Sequence, residues 1–246
     1  MNQLATTESN EVVLIPEAEL AAIEKMDTAL TAARQQINSA SSVTRAFVQA
    51  KALLLITKLI TPGMMTDIKQ LMGSPLGFRT DRDKPKKNKE GKWEDQTPYP
   101  DKVIKECVVL AWLKGARLDG NQFNILAGNA YFTKEFCTEY LQNYPGLTDF
   151  RATIGTPMFW TDGKKFASVP ARAEWKLNGV ANKAVFHKSE EGIDERIVVS
   201  AYSTSGIDQL KGLAESKLMK SVIKILDGSA IDPETCLLYT SPSPRD

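Results

Sequence analysis

The chain of 246 residues has one histidine, no C-x-x-C pair and almost no net charge, with 31 basic side chains against 30 acidic ones. Each scarcity removes a class of chemistry. His187 stands alone beside Lys188 on a predicted strand and reads as structural. Histidine-based zinc sites and Ser–His–Asp triads therefore lose their support. Three cysteines, Cys107, Cys137 and Cys236, make no disulfide framework, and the first two read as buried reduced thiols. Neither G-x-x-x-x-G-K-S/T nor G-x-G-x-x-G occurs, so the glycines are left to turns. No apolar run approaches the roughly 18 residues of a membrane span. The start has no basic-then-apolar signal. A cytoplasmic protein is the expectation.

What is present is ordinary globular material, 42% hydrophobic and 25% charged, enough for one main domain with a sizeable core. The charge is unevenly spread. Residues 1–38 carry Glu8, Glu11, Glu17, Glu19, Glu24 and Asp27 against Lys25 and Arg34, and the body is correspondingly basic. An acidic arm ahead of a mildly basic body is compatible with a nucleic-acid partner. The last eleven residues, Cys236 to Asp246 (CLLYTSPSPRD), resemble an in-frame translation of a transposon-library sequencing adapter. They are set apart from fold reasoning, which puts the native C-terminus beyond about residue 235. A genuine proline-rich tail is the other reading.

Five regions follow from the pattern: a disordered N-terminus (1–15), a helical arm (16–73), a charged linker (74–100), an α+β core (101–228), and a linker with the foreign tail (229–246). In the arm, Leu20, Ile23, Leu30 and Ile37 predict one amphipathic helix. Phe47, Ala50, Leu53 and Leu54 predict the apolar side of a second, and a short third helix follows Thr61-Pro62-Gly63. The linker holds seven basic and five acidic residues between Arg79 and Asp95. It is either a solvated surface loop or a mobile basic flap that meets phosphates.

From Pro100 to Glu135 the spacing predicts helix, hairpin and the start of another helix. Asp101 is the expected N-cap, Gly115 the helix stop, Gly128-Asn129 the hairpin turn and Thr133 the next cap. The period then becomes alternating. Strands are predicted over 149–160, 165–177, 183–187 and 196–203, forming an antiparallel meander with Pro157 and Pro170 on an edge or bulge. A helix from Ile207 to about Leu226 closes the core, with Lys217, Lys220 and Lys224 together at one border of its apolar arc.

Two patterns could carry chemistry. Asp162 followed by Glu174-Trp175-Lys176 is an acid…E-x-K arrangement, the signature of a magnesium-dependent nuclease. More suggestive, Phe159, Trp160, Phe166 and Trp175 interleave with Lys164, Lys165, Arg172 and Lys176. Aromatic faces stack on unpaired bases while cations follow the phosphates. Simple core packing of the rings is the competing reading.

Three segments in this order resemble phage single-strand annealing proteins of the RecT/Redβ type. They are VVLAWLKGARLDGNQFNILAGNAYFTKE (108–135), PMFWTDGKKF (157–166) and LAESKLMKSVIKIL (213–226). Lys224 stands where that family's pattern has arginine, and the 79–97 linker has no counterpart in it. The resemblance implies ATP-independent binding and annealing of single-stranded DNA in phage homologous recombination, inside the bacterial host cell. No bond chemistry and no cofactor are implied, with magnesium left open. It also implies homo-oligomeric rings or filaments, and work beside a phage exonuclease and the host single-strand binding protein. Candidate DNA contacts are Lys217, Lys220 and Lys224, then Lys164, Lys165, Arg172 and Lys176, with Trp160 for stacking and Lys134. A magnesium nuclease and a structural phage protein remain the alternatives.

Overall fold

The computed structural model describes residues 16–88, 90–159, 166–184, 188–189, 192–193, 196–201 and 205–227. Trp160, Asp162, Lys164, Lys165, His187, the first fifteen residues and everything from residue 228 lie outside the described residues. The fold is α+β, and an arm of three helices precedes the core.

Helix α1 (Glu17–Ser39) opens with Glu17 and Glu19 in its first turn, where the helix dipole favours negative charge. It buries Met26, Leu30 and Ala33, spaced four and three residues apart on one face. Helix α2 (Ser42–Thr57) packs along it. The expected apolar side of α2 is corrected: Ala52 and Ile56 are buried, whereas Phe47 is 74% and Leu54 65% exposed. Small Ala52 permits close approach, so α2 turns that face inward. Helix α3 (Pro62–Leu71) begins at Thr61, whose hydroxyl accepts from the Met64 amide at 3.2 Å.

The charged linker docks at its start rather than looping out. Phe78 is fully buried and stacks on Phe123, with ring centroids 4.8 Å apart. Burying such a ring stabilises by about 1.5–3 kcal/mol, which holds the flanking charges in place. Only its distal part projects, as strands β1 (Lys86–Lys87) and β2 (Trp93–Glu94).

Helix α4 (Asp101–Leu113) has Asp101 inside its first turn, not at the cap. Pro100 is the cap residue, and the Asp101 carboxylate pairs with Lys69 at 2.6 Å. Strands β3 (Phe123–Leu126) and β4 (Asn129–Phe132) form the expected hairpin, but the turn is Ala127-Gly128, one residue earlier than expected. Ala127 adopts φ 50°, and its amide donates to Asp81 Oδ2 at 3.3 Å. The linker thus supports an alanine conformation that local propensity disfavours. Thr133 caps α5 (Lys134–Gln142) as expected, accepting from the Phe136 amide.

The main sheet is built on one long strand. β5 (Leu147–Ile154) and β6 (Met158–Phe159) pair in turn with β7 (Phe166–Leu177). β8 (Val180–Ala184) pairs with the second half of β7. After the small hairpin of β9 (Lys188–Ser189) and β10 (Gly192–Ile193), β11 (Arg196–Ser200) pairs with its first half. The fourth predicted strand therefore returns to β7 instead of extending a meander. Pro170 lies within this central strand, not on an edge. It is tolerated because the partners change there: β5 ends opposite Ala171, β6 begins opposite Ser168, and Gly155 between them donates to the Pro170 carbonyl at 2.7 Å. A Cβ on Gly155 would meet the proline ring at 2.8 Å.

Alternation along β7 sends Ala167, Val169, Ala171, Ala173 and Trp175 inward. Helix α6 (Ile207–Leu226) covers that face with Leu210, Ala214, Leu218 and Val222. Its C-terminus is tied to α4, α5 and the arm. The Asp227 carboxylate accepts from Tyr140 at 2.5 Å and Lys114 at 3.2 Å, and its carbonyl accepts from Arg45. Among the described residues no helix is long and apolar enough to cross a membrane.

Candidate nucleic-acid interface

The sequence grouped the helix cations with the sheet cations. The fold separates them. Arg172, Glu174 and Lys176 occupy the β7 positions that alternate with the buried ones, so they leave the sheet on the face opposite α6. Register places Arg151 of β5 and Lys183 of β8 beside Glu174 on that open face. Glu174 pairs with Arg172, and Asp149 holds Lys176 at 2.8 Å. The hydrogen bond from Lys176, followed by its charge, lowers the Asp149 pKa.

The structure bears on two of the sequence-based readings. Trp175 is 4% exposed beneath α6, so it is core and not a stacking residue. An aromatic on an alternating strand cannot be assigned to a face until the register is known. The E-x-K pair is split between two ion pairs. Asp162, the acid of that pattern, lies outside the described residues, and among the described ones no three His, Cys, Asp or Glu side chains gather as a metal site.

On the helix side the three lysines have different settings. Lys217 donates to the Val198 carbonyl of β11 at 2.9 Å. Loss of solvent around the ammonium lowers its pKa, although the side chain as a whole is exposed. The phenol of Tyr131 opposes that shift, and Lys220 adds to it. Lys220 stands over the Tyr131 ring, its Nζ 3.7 Å from the centroid. Lys224 is exposed in the last turn. Lys134 is held by Glu215 at 2.5 Å, so its charge is answered within the protein.

Tyr131 was missed by the sequence reading. It lies on β4 opposite Asn124 and is 52% exposed. The segment before Asp81 runs parallel to β3 on its other edge: the Ile125 amide donates to the Arg79 carbonyl, and the Arg79 amide donates to Asn124 Oδ1. Phe78, Thr80, Phe123 and Ile125 are buried, so Arg79, Asn124 and Tyr131 share the outward face of this small platform. The missed signal was the alternation of Phe123, Ile125 and the residues between them, which also sets the outward positions.

The interface thus joins two elements: a platform bearing Arg79, Asn124 and Tyr131, and the α6 turn bearing Lys217 and Lys220. It offers an aromatic face and cations within one short stretch. No family model, curated protein or solved structure matches the chain.

Proposed function

We propose that the chain binds single-stranded DNA and anneals complementary strands without nucleotide hydrolysis. The observation that carries the reading is the half-exposed Tyr131 ring under Lys220, with Lys217 one helical turn away. A ring beside cations suits an unpaired base next to its phosphates. Lys220 and Arg79 meet the phosphates, Tyr131 carries a base, and Watson–Crick edges stay free for a second strand. On the open sheet face the four cations Arg151, Arg172, Lys176 and Lys183 outnumber Glu174 and Asp149, and this net positive charge supplies a second, weaker track. Assembly into rings or filaments belongs to the same proposal and rests on the family resemblance, as do contacts with a phage exonuclease and the host single-strand binding protein.

The test is fluorescence anisotropy with labelled single-stranded and duplex oligonucleotides over a salt series, paired with an ATP-free annealing assay. Expected are preference for the single strand, steep weakening with salt as counterions are displaced, and annealed product of unchanged strand length. Salt-insensitive or absent binding would overturn the reading. Strands shortened in the presence of magnesium would favour the nuclease instead.

A further inference from the structure

Among the described residues, the β1–β2 hairpin is a strongly basic segment that the interface above leaves unused. Residues 84–94 hold five lysines, two glutamates and one aromatic ring, Trp93. Trp93 is 68% exposed, whereas Trp175 is buried in the core. Lys87 is its direct cross-strand partner and stands 5.3 Å from the ring centroid.

The hairpin is built to hold that ring out. Asn88 Oδ1 accepts from the amides of Glu90 and Lys92, both at 2.9 Å, and Gly91 takes φ 79° to close the turn. At the base, Tyr99 donates to Asp81 at 2.7 Å and accepts from the Gly128 amide at 2.9 Å. Arg82 lies over the Tyr99 ring, 3.9 Å from its centroid, and donates to the Thr97 carbonyl. These bonds join the finger to the turn of the β3–β4 platform that carries Tyr131.

We propose that this hairpin is a second single-strand contact, on which Trp93 stacks an unpaired base while Lys84 and Lys87 meet the adjoining phosphates. The inference rests on the proposed single-strand binding and adds a site to it. The chemistry favours nucleic acid over a protein partner. An apolar protein contact wants contiguous apolar surface, and here one ring stands among cations. A ring flanked by positive charge is the arrangement that base stacking and phosphate neutralisation use together.

Titrating the full-length chain with oligothymidine and with a duplex of equal length tests this. Trp93→Ala is expected to weaken single-strand binding about fivefold to about a hundredfold, the range for one stacked base, and to leave duplex binding unchanged. Trp93→Phe should retain most of the affinity, and all variants should melt as the parent does. Lys84→Gln with Lys87→Gln should lower the salt slope by about 1.4, two phosphate contacts on a single strand. Unchanged affinity and slope in these variants, while the parent binds, would overturn the finger and leave the Tyr131 interface standing. Equal loss on duplex and single strand would overturn stacking. A parent chain that binds no single strand would overturn both proposals.

Discussion

Lys217 of α6 donates to the carbonyl of Val198 at 2.9 Å, across to the strand that returns to pair with β7. The lysine that heads the basic stripe in sequence is therefore partly spent inside the fold. Replacing it with methionine should cost about 0.5–1.5 kcal/mol in a urea melt, the ordinary net value of one hydrogen bond. The loss of single-strand affinity should be smaller than that of Lys220→Ala.

Tyr131→Ala should lower single-strand affinity about tenfold, within the range for one stacked base, whereas Tyr131→Phe should bind nearly as the parent. Lys220→Ala loses the cation over the ring and a phosphate contact, so its affinity should fall and its salt slope decrease by about 0.7. A Tyr131→Ala variant that binds as the parent would remove the platform from the interface.

The Asp81–Tyr99 bond gives the finger base a defined pH window. Burial raises the Asp81 pKa, but the Tyr99 hydroxyl, the Ala127 amide and Lys86 outweigh it, and the net direction is down. Its contribution is fully present above the unfolded value near 3.9 and is lost as pH falls through the folded value. Burial, then the bond to Asp81, raises the Tyr99 pKa. That contribution is present below about pH 10 and is lost as pH rises through the folded value. Thermal melts of the parent against Asp81→Asn and Tyr99→Phe should converge at the corresponding extreme and separate between them.

Asp227 ties α6 to three other helices. Its carboxylate takes the Tyr140 hydroxyl at 2.5 Å, and burial followed by that bond raises the Tyr140 pKa. Asp227→Ala leaves Tyr140 and Lys114 without their acceptor. It should cost about 1.5–3 kcal/mol, the value of a hydrogen bond to a charged group, read as a lower melting temperature.

The start of the linker should be as sensitive as the core. Phe78→Ala removes a fully buried ring and should cost about 3–5 kcal/mol. Gly77→Ala places a Cβ 2.0 Å from the Leu71 carbonyl oxygen, so the backbone must shift and the variant should melt well below the parent. If Gly77→Ala melts as the parent does, the segment is not docked as described.

Local pattern was enough for the helices and for the long strand β7, but it read the β1–β2 hairpin as linker, ran β5 and β6 together, and began β8 three residues late. The 3.6-residue spacing of Leu210, Ala214, Leu218 and Val222 marks α6 and its buried face, and the alternation of 165–177 marks β7. Thr133 and Gly115 act where short-range chemistry puts them. These features depend on neighbours within one turn or one strand, which the sequence states directly. Pairings between distant segments are different, because nothing local encodes them. Trp175 and Lys176 are adjacent in sequence and lie on opposite faces of a sheet that α6 covers on one side only. Phe78 looks like part of a charged linker until Phe123 is placed against it. Tyr131 gains its cation only when α6 brings Lys220 over the ring. By itself, then, the sequence determined the helices, the long central strand and the placing of charge along the chain. The tertiary structure alone decided which charges are answered within the fold and which aromatic rings remain outside the core, because burial and pairing depend on what arrives from elsewhere in the chain.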